Sequence, residues 1–187
     1  STLSSSSAAS DVYKRQLAPQ YKVLNLQDIG CDADIPETGD TFAENAFLKS
    51  SYVVKHYQMD CFADDSGLEV EALNNEPGIY SARYSGQRGD AINMQYLLQK
   101  MKGLTNRNAR FITVISLIKN GQNYLFEGTI EGTIINEPIG EKGFGYDPIF
   151  VPNGYDITFA QMNAELKNKI SHRALATKKL INFLKTI

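Results

Sequence analysis

Two adjacent carboxylates, Asp64 and Asp65, followed by a hydroxyl and a glycine at Ser66 and Gly67, sit between apolar runs in the stretch Cys61–Val70. Along a strand, neighbouring side chains point to opposite faces, so the two acids cannot share one role. One can face a metal and substrate while the other braces the backbone. The pattern predicts a strand, a tight polar break and a second strand; it also fits an Asp-Ser-Gly turn whose Asp bonds its own backbone. Glu44 follows Thr41 by three residues, a spacing that suits a capping box or a metal-facing carboxylate one turn into a helix. A different chemistry is written in Gly143-Phe144-Gly145-Tyr146-Asp147-Pro148. Glycines on both sides of Phe144 let backbone approach a flat ligand, the ring offers a stacking face, and Asp147 could accept from a base edge. The same segment could be a turn around one buried aromatic. Lys167, His172 and Arg173 gather where the last helix begins, with Ser171 suited to its N-cap. Backbone N–H groups and cationic donors there can meet an oxygen-rich ligand. A single histidine is more often structural, and the adjacent Arg and nearby Lys shift that balance. Carboxylate oxygens suit Mg²⁺ bridging to phosphates and the loop suits a nucleobase, so the inventory points to a Mg²⁺-dependent enzyme acting on a nucleoside polyphosphate.

The elements that must hold these groups follow from periodicity. Tyr21–Leu26 alternates as a strand, and a loop runs from Gly30 to Gly39. Thr41 opens a helix with Ala43, Ala46, Phe47, Ser50, Val54 and Tyr57 on one face. The stretch Asn74–Gly86, which carries Arg83 and is followed by Arg88, is too rich in glycine, aromatic and hydroxyl residues for a simple connector. Asp90 is expected to cap a helix with Ala91, Met94, Leu98 and Met101 as its apolar stripe, closed by Gly103. Ala109–Ile118 and Asn123–Ile135 read as a strand pair around Asn120-Gly121. The final helix places Ile170, Ala174, Ile181 and Leu184 inward, with Leu180 and Phe183 beside them.

The bulk numbers set bounds. At 187 residues, 42% hydrophobic and 21% charged, the chain suits one globular domain with a proper core, or two lobes sharing one sheet. A net charge of -2 gives no global electrostatic reason to bind nucleic acid or an anionic membrane. The two cysteines, Cys31 and Cys61, have no metal-ligand spacing, and a reduced cytoplasmic setting fits them. The most apolar run, Phe111–Ile118, is far too short to span a bilayer. No Walker-type loop, dinucleotide fingerprint or internal repeat is present.

The first sixteen residues stand apart. Ser1–Ser10 is a Ser/Ala-rich run without the charged start and apolar centre of a signal peptide. Asp11-Val12-Tyr13-Lys14-Arg15-Gln16 is what one frame of a common transposon-end sequencing adapter encodes. Residues 1–16 are therefore expected to be a foreign or disordered head, and residues 17–187 a single domain.

Several segments taken together carry a resemblance: Thr41-Phe42-Ala43-Glu44-Asn45-Ala46, Ala63–Leu68, Pro77–Tyr84, Gly143–Pro148 and Ser171-His172-Arg173. In this order and spacing the chain resembles the inosine triphosphate pyrophosphatases, which act on non-standard purine nucleotides, from about Tyr21 to the C-terminus. The resemblance implies hydrolysis of ITP, dITP and XTP to the monophosphate and pyrophosphate. It implies Asp65 as proton acceptor and metal ligand, Glu44 as a second carboxylate of a Mg²⁺ site, and Ser66 as a substrate contact. It implies Phe144, Gly145, Tyr146 and Asp147 as the base-binding loop, with Phe144 stacking on the purine. Lys167, His172 and Arg173 match the groups that read the base's oxo edge. The implied fold is α/β, elongated, with a long central mixed β-sheet flanked by helices, and the implied assembly is a homodimer.

One departure accompanies the match. Family members open with a strand, a Thr-x-Asn-x-x-Lys phosphate-binding loop and a helix, and this sequence has a different head. The N-terminal strand and first helix are expected to be missing, and the chain to be less stable and weakly active. The competing reading is a nucleotide-binding protein that has lost catalysis. A Maf-like pyrophosphatase acting on modified pyrimidine or methylated nucleotides is a third, against which the Phe144 loop and the His172-Arg173 pair argue.

Overall fold

The computed structural model describes residues 2–5, 17, 18 and 20–187. Its centre is a mixed seven-stranded sheet flanked by helices, as the resemblance implied. The path is β2 (Lys22–Asn25), β1 (Thr2–Ser5), β3 (Cys61–Val70), β5 (Asn108–Lys119), β6 (Gln122–Ile134) and β7 (Phe150–Pro152), with the short β4 (Glu76–Pro77) paired to β3 off that path. β1 runs parallel to both neighbours, while β4 and β7 pair antiparallel to β3 and β6. The helices are α1 (Phe42–Tyr57), α2 (Asp90–Lys100), α3 (Ala164–Ile170) and α4 (His172–Leu184).

β1 corrects an expectation. A strand foreseen as missing is present at Thr2–Ser5, in register with Lys22–Asn25 on one side and with Cys61 and Phe62 on the other. A serine-rich segment can do this because backbone groups supply the ladder. One fully buried side chain, Leu3, supplies the apolar anchor. The expected lack of a first helix falls on residues 6–16, outside the described residues.

The chain divides into two compact units. One comprises Ser1–Asp65, Thr113–Glu127 and Ala176–Ile187; the other comprises Ser66–Ile112 and Gly128–Leu175. The first unit closes around Leu3, Val23, Phe62, Ile115, Leu117 and Leu180. Tyr21 joins that core and donates its hydroxyl to the Leu184 carbonyl at 3.1 Å. The second unit packs Leu68, Leu97, Met101, Phe111, Ile134, Phe150 and Phe159 together, with the Phe111 and Phe150 rings edge to face at 4.7 Å. Burying each of these large side chains is worth about 1.5–3 kcal/mol, so each unit has a core of its own.

Three local expectations change. Cys61–Val70 is one continuous ten-residue strand rather than two strands around a break, and Asp64 and Asp65 are buried within it. The inner face of α1 is Phe42, Asn45, Ala46, Ser50 and Val53, rotated from the expected one, and Phe47 is exposed. The rotation follows from polar groups that find partners inside: Asn45 meets Asp65, and the Ser50 hydroxyl shares a 2.8 Å hydrogen bond with that of Ser116. In α2, Asn93 and Leu97 are buried and Ala91 is exposed, while Met94 and Leu98 pack against the core that holds Met101, as read; Gly89 rather than Asp90 occupies the N-cap. The hairpin stands as read: Asn120 and Gly121 both have positive φ, at 50° and 78°, which suits a two-residue turn between twisted strands.

Candidate functional site

In the first unit, α1 and β3 bring a carboxylate, an amide and an ammonium together. The helix starts where Thr41 accepts the Glu44 backbone N–H and the Glu44 carboxylate accepts the Thr41 N–H in return. Glu44 Oε2 also accepts from the Asp40 N–H at 2.7 Å. The capping alternative for Glu44 is thus realised in the geometry, with its second carboxylate oxygen left over for other work. One residue on, Asn45 is fully buried. Its carbonyl accepts the Gly39 N–H at 2.8 Å and its amide donates to Asp65 Oδ2 at 3.2 Å. One turn further, Lys49 reaches Glu37 at 2.7 Å and stands 3.8 Å from Asp65 Oδ1. Asn45 and Lys49 share a helix face because they are four apart, a signal the sequence contained and that reading it for carboxylates alone passed over.

The donor set here is carboxylate oxygen, with neither thiolate nor imidazole among these residues, which suits a hard cation such as Mg²⁺. Among the described residues no group of three or more His, Cys, Asp or Glu side chains could hold a metal. That is compatible with Mg²⁺, which ordinarily takes one or two carboxylates and leaves its other positions to phosphates and water.

In the second unit, the loop that begins at Gly143 presents one aromatic ring. Phe144 is 57% exposed, whereas Tyr146 and Asp147 on the same loop are buried. Asp147 Oδ2 accepts the Phe144 N–H at 2.8 Å and pairs with the Lys167 ammonium from α3. The tight curl needs glycine at 143: φ is +81°, and a Cβ there would come within 2.1 Å of Asp147 Oδ2. Tyr146 turns its ring inward and donates its hydroxyl to the Ser81 carbonyl at 2.8 Å, and burial pushes that phenol well above its usual range. Ser81 also accepts the Leu68 N–H at 2.9 Å. Ser66, near the middle of β3, is partly exposed.

Two cations flank the Phe144 ring. Lys167 Nζ lies 4.7 Å from its centroid and the Arg173 guanidinium carbon 5.7 Å. Ser171 accepts the Ala174 N–H at 3.2 Å and so starts α4, which sets His172 and Arg173 in the first turn as expected. His172 stacks on Phe111 at 4.8 Å with an interplanar angle of 11°. Burial first, then the charges of Arg173 and Lys167, push its imidazole down to about 3, so the ring is neutral near pH 7. Its Nδ1 is buried with no hydrogen-bond partner. A buried orphan of this kind calls for an explanation, and a ligand edge supplies one.

The structure therefore brings Phe144, Gly145, Tyr146, Asp147, Lys167, His172 and Arg173 into one unit and Glu44 and Asp65 into the other. Asn45, Lys49, Ser81 and Phe111 were not foreseen. Phe111 stands 61 positions from the histidine it supports, and no local pattern announces such a partner.

The model of the Ham1 family matches residues 10–183. A dITP/XTP pyrophosphatase of Flavobacterium psychrophilum is 55% identical over 170 residues, 90% of each chain. One from Staphylococcus aureus is 47% identical over 168 residues, 89% of this chain and 86% of that protein. Among solved structures, the Staphylococcus aureus Ham1 protein superposes with a TM-score of 0.94 at 42% identity, covering 100% of this chain and 99% of that one. A HAM1 protein from Coxiella burnetii gives 0.92 at 34% identity, with the same coverage. The chain belongs to the Ham1 family.

Proposed function

We propose that the protein hydrolyses non-standard purine nucleoside triphosphates, ITP, dITP and XTP, to the monophosphate and pyrophosphate, clearing them from the nucleotide pool. The observation that carries this reading is the exposed Phe144 ring flanked by Lys167 and Arg173, beside a neutral His172 with an orphaned ring nitrogen. A purine stacks on the ring, and its 6-oxo group accepts from the cationic donors. Adenine offers a 6-amino donor instead, which would leave those donors unmatched. The names of the relatives, dITP/XTP pyrophosphatases, support the same substrate class.

Asp65 is the general base in this proposal. It takes a proton from the water that attacks the α-phosphorus, and the bond from that phosphorus to the bridging oxygen of the β-phosphate breaks, releasing pyrophosphate. Asn45 orients the carboxylate through Oδ2. Lys49, close to Oδ1, keeps positive charge beside the same group. Asp65 and Glu44 would hold Mg²⁺, which when bound neutralises phosphate charge. The protein works as a cytoplasmic homodimer in this reading. Cys31 and Cys61 are buried thiols outside any disulfide, in keeping with a reducing compartment. No described helix is long and apolar enough to cross a membrane.

The test is pyrophosphate release from ITP, dITP, XTP and ATP, with Mg²⁺ and with EDTA. Release from the first three, weak release from ATP and silence in EDTA are expected; equal turnover of ATP would overturn the base assignment. A second reading has its own support: residues 1–16 contain no Thr-x-Asn-x-x-Lys. On that reading the chain binds the nucleotide and turns it over poorly. ITP binding without pyrophosphate release, with turnover restored by a family-like segment in place of that head, would favour it.

A further inference from the structure

Three consecutive residues of the Phe144 loop are each anchored separately. The Phe144 N–H goes to Asp147 Oδ2, the Gly145 N–H goes to Asp90 Oδ2 at 2.7 Å, and the Tyr146 hydroxyl goes to the Ser81 carbonyl. The middle anchor comes from 55 residues away in the chain. Asp90 is the first residue of α2, and the N-cap position that would ordinarily spend a side chain on the helix's own amides is Gly89. α2 is itself fixed to the preceding loop by Asn93, whose amide donates to the Ala82 carbonyl at 3.0 Å and whose oxygen accepts the Ser85 N–H at 2.8 Å. Asp90 thus stands on a braced element.

Gly145 has φ +60° and nothing within 4 Å of where a Cβ would be, so no neighbour crowds that side of its backbone. With glycine on both sides, Phe144 would otherwise sample many orientations, and each would reduce the fraction of protein ready to stack a base. A carboxylate on a backbone N–H is a charge-assisted bond, stronger than a neutral one.

We propose that Asp90 is a positioning residue for base binding: its hydrogen bond to the Gly145 N–H preorganises Phe144, so its loss weakens nucleotide binding and leaves the chemical step unchanged. This rests on the reading of the loop as a purine site.

The experiment compares wild type with Asp90→Ala, Asp90→Ser and Asp90→Asn in ITP turnover, thermal unfolding and hydrogen exchange of residues 143–147. Ala removes the acceptor. Ser suits a helix start but is a bond shorter, and Asn retains an acceptor without the charge. Ala and Ser are expected to raise KM for ITP roughly three- to tenfold with kcat within about twofold, the effect of losing one partly solvated charge-assisted hydrogen bond. The loop amides should exchange faster in both, and Asn should recover most of the loss. A purely structural role at the helix start would lower the melting temperature in Asn as well and leave KM alone, which overturns the proposal. Faster exchange with unchanged KM overturns it too. If wild type releases no pyrophosphate from ITP, the activity reading fails; exchange and equilibrium binding of ITP in the same proteins then decide the role of Asp90, and unchanged values in Ala and Ser overturn it.

Discussion

Asp147 Oδ2 accepts the Phe144 backbone N–H at 2.8 Å, and the same oxygen faces the Lys167 ammonium. One buried atom therefore fixes both the backbone of the stacking residue and the cation beside its ring. Replacing Asp147 with Ala would leave Lys167 without that counter-charge and the Phe144 amide without that acceptor. A stability loss of about 1–3 kcal/mol is expected, with KM for ITP up by at least tenfold. Urea denaturation and steady-state kinetics check this; a change in kcat alone would place Asp147 elsewhere in the mechanism.

Asp65→Asn should keep the fold and lose turnover. The side chain keeps its shape and an acceptor for Asn45, and the strand is held by its ladder. Loss of a general base costs roughly 10²–10⁴ in kcat. Pyrophosphate release with circular dichroism as the folding control measures it, and turnover within a few-fold of wild type would remove Asp65 from the catalytic role.

The two loop glycines should differ. Gly143→Ala combines a left-handed φ with a Cβ 2.1 Å from Asp147 Oδ2, so the loop must rearrange and nucleotide binding should be lost. Gly145→Ala meets no neighbour and carries only the conformational penalty, about 1–2 kcal/mol. ITP binding by calorimetry to both variants checks the order, and equal losses would contradict the crowding seen at 143.

His172 gives stability a pH dependence of known sign. Its imidazole is lowered to about 3 in the fold against an ordinary 6.5, so between those values the unfolded chain binds the extra proton. Its contribution is complete above about pH 6.5 and is lost as pH falls toward 3, with a slope of up to about 1.4 kcal/mol per pH unit. His172→Gln should flatten that part of the profile. Denaturation at pH 7.5, 6 and 5 for both proteins isolates the term from the carboxylates, and parallel profiles would show that the ring does not stay neutral.

Leu3 tests β1. It is fully buried in the core that contains Phe62, Ile115 and Leu180, so Leu3→Ala should cost about 2–5 kcal/mol. Thr2, exposed on the same strand, should tolerate Ala almost silently. Equal and negligible effects would mean that the N-terminal strand does not form in solution.

Most of the helices and the hairpin were legible because their signals are local. Thr41 with Glu44, Asn120 with Gly121 and Ser171 before His172 each act over a few residues, and each element starts or turns where those residues stand. Asp90 shows the limit. A sequence reader gives an aspartate at a helix start to its own amides, whereas its carboxylate bonds an amide 55 positions away. β1 shows it again, since a Ser-rich segment reads as low complexity until parallel neighbours on both sides satisfy its backbone.

The chain's own order of residues determined which chemistry is available: carboxylates at 44 and 65, a glycine-framed aromatic at 144, and a Lys, His and Arg at 167, 172 and 173. Those identities depend on residue type and local spacing. Only the tertiary structure decided that Tyr146 faces inward, that Asn45 and Lys49 attend Asp65, and that His172 is neutral. Each of these depends on long-range packing and on the exclusion of water, which set burial and hydrogen-bond partners for groups that are far apart in the chain.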